Sequence, residues 1–455
     1  MPNTDSMNTS SLDMKQFNKD LFHFLDTSPT SYHVVKNQIE LLQSNGFQCL
    51  SESENWLLEA GQGYYVTRNG SSLIAFVYGH KNVLETGLRL LGAHTDSPCL
   101  KVKPNAEIVS QSYLQLGVEV YGSVLLNPWF DRDLSLAGKI VYQDSSHAIH
   151  SCLLNFEKPV ASIPSLAIHL DREANKNRTI NSQTDIPPVL MIVDEDEDGT
   201  TDEQVDTLKS ILKQQAEVQY EGINIDDILD FELSFYDTQG ASYVGLKEDF
   251  IASSRLDNLL SCYIAMQALV HANDQGTSLL ICSDHEEVGS SSTSGAQGTF
   301  LKSVLERLAG SAESLTRMID QSMMISADNA HGIHPNFSNK HDANHGPIIN
   351  QGPVIKVNVN QRYASNCETG AVFKMLAKKA RVPVQNFVVR TDMGCGSTIG
   401  PITAAEIGVK TLDIGVPTFA MHSIRELCGT KDAWYLFKIL QHFFDSSFTI
   451  KVNTL

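Results

Sequence analysis

The chain lacks the marks of several large protein classes, and each absence narrows the reading. Its eight cysteines, Cys49, Cys99, Cys152, Cys262, Cys282, Cys367, Cys395 and Cys428, are scattered and form no CxxC pair. That argues against a zinc–cysteine site and a disulfide framework, and for reduced, buried thiols in a cytoplasmic protein. No apolar run approaches the roughly 20 residues that span a bilayer, so no membrane partner is expected. Residues 1–15 hold no apolar stretch after a basic start, so no secretory signal is expected. Positive charge is scarce: 34 Lys and Arg stand against 53 Asp and Glu, a net charge of -19. Without a basic patch, nucleic acid is not an expected partner. No internal repeat is visible, which excludes a repeat array.

Two motifs are incomplete. Asp194, Asp196, Asp198 and Gly199 imitate the first half of a calcium loop, but the twelfth position is Val205, where a bidentate Glu is needed. The acidic run 194–206 therefore reads as a solvated loop. Residues 394–400, GCGSTIG, lack the Gly-Lys-Ser/Thr ending of a phosphate loop and read as a tight turn into a helix. Cys395 in that turn has no triad pattern around it that would make it a nucleophile.

What is present is length and apolar content. With 455 residues and 42% apolar side chains, the chain is too long for one ordinary domain. Helices are expected over 14–26 and 32–44, broken at Ser28 and Pro29, with Ser31 as N-cap and Gly46 as stop. Short apolar runs at 72–78 and 88–93 read as buried strands. From Tyr113 the texture changes: Leu114, Leu116, Val118 and Val120 alternate with Gln115, Gly117 and Glu119, the pattern of a half-buried antiparallel strand. Short strands with polar breaks continue to about Asp237. Helix then alternates with apolar strand: helices at 257–272, 300–308 and 433–444, strands at 278–283, 323–327, 354–359, 387–390 and 409–414. Such alternation predicts an α/β sandwich with a mostly parallel sheet. The expectation is one α/β domain from residues 1–96 and 239–455, with a β-rich domain, 97–238, inserted in it.

Several strand ends are followed at once by His, Asp or Glu. His94 and Asp96 follow one apolar run, Glu286 and Glu287 another, and Asp328 a third; His422 follows the strand end at 413–415, and Asp257 stands at a helix start. Open α/β sheets bind ligands at the carboxyl ends of their strands. Two imidazoles and three carboxylates are donors that zinc, manganese and cobalt accept, and a carboxylate can bridge two ions in a hydrolase. If the backbone is extended at Glu286 and Glu287, their side chains diverge, so that one can ligate while the other stays free as a base. Each of these residues alone is ordinary surface or hydrogen-bonding chemistry. Together they point to a metal hydrolase, with a small-amide deacylase or a catalytically dead peptide-binding scaffold as the alternatives.

The segments GAHTDSPCLKVKP, SSRLDNL, DHEEVGS, SADNAHGIHPN, GPVIKVNVNQRYAS, GCGSTIGP and DIGVPTFAMHSIRE together resemble the aspartyl aminopeptidase family of zinc metallopeptidases. The likeness runs from about Asp20 to the end of the chain. It implies a zinc-peptidase αβα sandwich with an inserted dimerisation domain, peptide substrates, and a homo-oligomer, a dodecamer built from dimers. It implies two divalent ions per subunit, zinc foremost, with manganese or cobalt as alternatives. By the resemblance, His94 binds one metal, Asp257 bridges both, Glu287 and Asp328 bind one each, and His422 completes the second site. Asp96 would orient His94, and Glu286 would be the general base. His169, in the stretch SIPSLAIHLDRE, would reach a neighbouring subunit's active site. Lys356 and Tyr363 would contact substrate, with a preference for N-terminal Asp or Glu.

Overall fold

The computed structural model describes residues 13–193 and 207–446. The calcium-like run and most of the N-terminal leader lie outside the described residues. A nine-stranded mixed sheet forms the centre of the larger part of the chain. Its order is Gln48–Cys49, Gly63–Arg68, Ser72–Val77, Thr277–Ser283, Leu88–His94, Met323–Ala327, Lys410–Gly415, Val354–Lys356, Gln385–Phe387. The four strands from Thr277–Ser283 to Lys410–Gly415 run parallel to one another.

These strands read as unbroken apolar runs because both faces are covered. Successive side chains point to opposite faces of a strand, and the neighbours divide accordingly. Leu91, Leu280 and Ile325 pack with the helices Met14–Asp26, Ser31–Ser44, Leu256–Val270, Cys367–Ala380 and Asp432–Phe444. Leu90, Leu279 and Met324 pack with Phe300–Ala309, Ala312–Asp320 and Ile399 on the other side. The result is an αβα sandwich. The second helix starts one residue before the expected 32–44, with Thr30 rather than Ser31 at its N-cap. Gly46 follows at φ +80, which suits glycine.

A six-stranded antiparallel sheet is drawn entirely from residues 99–237. It has its own apolar core, which includes Leu116, Leu136 and Phe235 with Leu212 and Ala216 of the helix Leu208–Gln219. The alternation from Tyr113 survives in the strand Tyr113–Tyr121, where Leu114, Leu116 and Val118 are buried while Tyr113 and Glu119 are exposed. A third sheet, of five short strands, was not expected: Ser242–Val244, Phe250–Ser253, Glu426–Gly429, Pro417–Phe419, Ala330–His331. Two to four residues per strand are too few to show a period. This sheet carries part of the site described next. Among the described residues no helix is long and apolar enough to cross a membrane.

Candidate metal centre

Three neighbouring parallel strands deliver the first residues to one edge. His94 closes Leu88–His94, and its backbone is level with Ser283 of the adjacent strand. Asp284 follows, and then a 3-10 turn, Glu286–Val288, carries Glu286 and Glu287. Asp328 comes directly after Met323–Ala327. Asp257 stands at the start of Leu256–Val270 with non-helical angles, φ -84 and ψ 106. Its neighbour Asn258 donates its side-chain N–H to Ala327 O at 2.8 Å, which pins that helix start beside Asp328. His422 sits at φ +67 in the loop between Pro417–Phe419 and Glu426–Gly429, two antiparallel strands of the third sheet. His422 therefore does not follow the strand end at 413–415 directly, because another strand intervenes.

Three groups of side chains lie close enough to hold an ion: His94, Asp257 and Asp328; Asp257, Glu287 and His422; and His94, Glu286 and Glu287, the first two sharing the Asp257 carboxylate. His94 Nε2 lies 3.5 Å from Asp257 Oδ1 and 3.6 Å from Asp328 Oδ1. His422 Nε2 lies 3.4 Å from Asp257 Oδ2 and 3.3 Å from Glu287 Oε2. These separations are long for hydrogen bonds. They suit ligands around a common ion, since bonds of about 2.0–2.1 Å to a tetrahedral zinc put ligand atoms roughly 3.3–3.4 Å apart. Asp257 Oδ1 and Glu287 Oε1 are buried with no hydrogen-bond partner, which leaves lone pairs for a cation. The donor set therefore fits divalent metal.

Each imidazole is fixed by its other nitrogen. His94 Nδ1 is 3.1 Å from the Asp96 carbonyl and 3.4 Å from its Oδ1, and His422 Nδ1 is 3.1 Å from Ser123 O. With Nδ1–H donating, Nε2 is the free ligand atom in both. Asp96 also accepts the backbone N–H groups of Glu286 and Glu287, each at 3.1 Å, and the Tyr121 hydroxyl at 2.8 Å.

The charges at this edge repel one another. Burial, reinforced by the Asp257 charge, holds the Glu287 carboxyl well above its ordinary range. Burial pushes Glu286 up to about 7, with His94 opposing and Asp328 and Asp257 adding to the rise. For Asp257, burial is outweighed by the facing His422 and His94 imidazoles, which lower its pKa. For His94, burial is outweighed by Asp257, Asp328 and Asp96, and its pKa is raised well above the ordinary value.

One expectation changes. The backbone at Glu286 and Glu287 is not extended. The 3-10 turn, with three residues per turn, separates the two side chains instead: Glu287 faces His422, while Glu286 Oε2 is 4.0 Å from His94 Nε2. Lys356 lies on an inner strand of the main sheet, 2% exposed. Its Nζ donates to Asp328 Oδ2 at 3.2 Å and Asn329 O at 3.1 Å, over the Tyr363 ring at 5.2 Å. Tyr363 is buried, and burial raises its phenol pKa. His169 is not among the gathered side chains. It lies in an exposed loop whose Leu166, Ile168 and Leu170 are 60%, 47% and 75% exposed.

Sequence reasoning missed Tyr121, the Ser123 carbonyl and Glu426. Glu426 ended a quoted segment, but a lone Glu carries no signal by itself. Also missed was a groove of about 300 Å³ whose lining includes His331 and Met421, the neighbour of His422 in the chain. Its polar lining is His331, His334, Lys340, His341 and Arg390, over Phe387, Val389 and Phe419, and burial lowers the pKa of His331 and His341. Arg390 is paired with Asp392.

An αβα sandwich that brings two imidazoles and several carboxylates together beyond parallel strand ends defines a metal-dependent hydrolase. Comparison with known sequences makes the class particular. Residues 24–444 match the family described as aminopeptidase I zinc metalloprotease (M18), and the chain belongs to that family of zinc-dependent aminopeptidases. It is 54% identical, over 431 residues, to the probable M18 family aminopeptidase 2 of Azotobacter vinelandii, covering 95% of this chain and 98% of the relative. Among solved structures, the complex of Ape4 and Nbr1 contains a chain 39% identical, with a TM-score of 0.90 and coverage of 98% of this chain and 87% of that one. The mApe1 dodecamer of S. cerevisiae is 29% identical, with a TM-score of 0.79 and coverage of 94% and 95%.

Proposed function

We propose that the chain removes N-terminal residues from peptides at a two-metal centre, with a preference for Asp and Glu. The observation that carries this is the shared carboxylate: Asp257 turns one oxygen to His94 and the other to His422. On this reading His94, Asp257 and Asp328 hold one ion, and Asp257, Glu287 and His422 the other, zinc in both sites. Such ions, when bound, supply an acidified water and polarise a carbonyl oxygen.

The chain's own groups do the rest. Glu286 lies beside His94 and Glu287 but is not grouped with the shared carboxylate Asp257; on this reading its carboxylate accepts the proton of the attacking water and passes it to the leaving amine. Asp96 fixes His94 and both glutamate amides. His169 donates to the developing oxyanion, from a neighbouring subunit. The exposed apolar side chains around it support a second copy as the cover. Residues 97–238 then act as the dimerisation unit, residues 1–96 and 239–455 as the catalytic one, and the assembly is a dodecamer, as in the mApe1 neighbour.

The acidic preference rests on the groove, where a substrate carboxylate would meet the Lys340 ammonium and accept from the His331 imidazole. Lys356 has two of its three donors engaged and keeps one for substrate, and Tyr363 forms the wall beneath it. The test is a panel of peptides assayed before and after chelation, with metal counted. Two ions per chain, loss of both in Asp257→Ala, restoration by zinc, and faster cleavage of aspartyl and glutamyl than leucyl peptides are expected. Equal hydrolysis of N-acylated amino acids would replace the exopeptidase reading with a deacylase, and full occupancy in Asp257→Ala would sink the bridge.

A further inference from the structure

Glu426 lies in the third sheet with 2% of its surface exposed. Its two carboxylate oxygens have separate tasks. Oε1 accepts the backbone N–H of His422 at 2.8 Å, and Oε2 accepts the backbone N–H of Asp257 at 2.9 Å. These donors are 165 residues apart in sequence, and both belong to the triad Asp257, Glu287 and His422.

The surroundings explain why one side chain reaches both. The strand Phe250–Ser253 leads into Asp257, and Glu426–Gly429 leads away from His422. They are paired antiparallel, with Ser253 opposite Glu426. Both approaches use left-handed backbone, at Arg255 (φ 59) and at His422 itself (φ 67), so neither loop holds its place through regular secondary structure. Asp96 makes the same kind of double acceptance for Glu286 and Glu287.

We infer that Glu426 is a positioning residue for the second metal site, clamping the main chain of Asp257 and His422 so that their side chains meet one ion. This rests on the two-ion reading above. A glutamine at 426 can accept one N–H through its oxygen but presents a donor to the other. The first site draws only Asp257 from the clamp and keeps His94 and Asp328, which Glu426 does not touch directly. The effect should therefore be unequal between the two ions. Outer partners of metal ligands commonly change affinity by roughly 10- to 100-fold.

The experiment titrates metal-free wild type and Glu426→Gln with Co(II), following the visible absorption of each equivalent and the free metal by a competing chelator. The expected result is a first equivalent with wild-type spectrum and affinity, and a second weakened about 10- to 100-fold with an altered spectrum. Glu426→Asp, too short to reach both amides, should do the same and serves if the Gln variant does not fold. Wild-type binding of both equivalents, or equal weakening of both, overturns the clamp. A wild type that binds fewer than two equivalents instead overturns the two-ion reading.

Discussion

Removing the metals should make the stability of this protein depend on pH in a direction that the charges dictate. In the metal-free chain Glu286 titrates at about 7 against an ordinary 4.5. A carboxyl raised on folding gives stability that is fully present below its unfolded pKa and is lost as pH rises through the folded one. At 1.36 kcal/mol per pH unit, Glu286 alone makes about 1 kcal/mol of difference between pH 6 and pH 8, most of it below its folded value. Glu426, pushed up to about 8 by burial and the Asp257 charge, acts in the same sense, as does His94, whose raised pKa also favours the protonated fold. Asp257 acts in the opposite sense, but its depressed pKa places that change below pH 4. Melting should be followed with chelator and with excess zinc at pH 6 and pH 8. One kcal/mol moves a 150–250-residue domain by roughly 2–4 °C, and less for 455 residues, so a fall of several degrees is expected for the apo protein. Zinc should restore more at pH 8 than at pH 6. An apo melting temperature that is flat or rises between these values would refute the reasoning.

Glu286→Gln should keep both metals, measured by elemental analysis, and lose roughly 100- to 10,000-fold in turnover; near-normal hydrolysis would remove Glu286 as the base. In the loaded enzyme the acid limb of kcat/KM should lie between 4.5 and about 7, because bound cations pull Glu286 down from its metal-free value; a limb above 7 would contradict this. His169→Ala and Glu286→Gln proteins, each nearly inactive, should regain partial activity in verified mixed oligomers, whereas no recovery would place His169 outside its neighbour's site. Lys356→Met should depress cleavage of leucyl and aspartyl peptides alike, because it strips Asp328 of a buried partner at 3.2 Å, with the larger drop on aspartyl peptides; unchanged rates on both would remove Lys356 from the site.

The parts of this molecule that can be read along one segment were legible. The runs at 88–93, 278–283 and 323–327 are strands buried on both faces, so their apolar continuity is local information. His94, Glu286, Glu287 and Asp328 follow those runs, and position in the chain alone put them near one edge. What depends on long-range pairing was not legible. The third sheet is built of strands such as Pro417–Phe419, too short to carry a period, and with it went the hairpin that places His422. Lys356 looks like a surface lysine until Asp328, 28 residues earlier, is seen beside its ammonium. The expected strand at 354–359 stops at Lys356, where the chain turns toward Tyr363. Glu426 and Tyr121 act on backbone or carboxylate groups of other segments, and no spacing rule predicts such contacts.

The centre also explains why metal binding and base strength belong together here. Without cations, the buried carboxylates share an edge with too much negative charge, and protons fill the deficit, leaving Glu287 and Glu286 with raised pKa values. Metal binding must displace those protons, so affinity should rise with pH over the range in which they leave. A cation held by Glu287 would also lower the pKa of Glu286, one residue away on the same 3-10 turn. On the proposed mechanism, Glu286 would therefore be ionised near neutral pH when the ligands beside it are occupied, and partly protonated when they are not. On that mechanism, charge by itself would tie metal loading to the ionisation of the base.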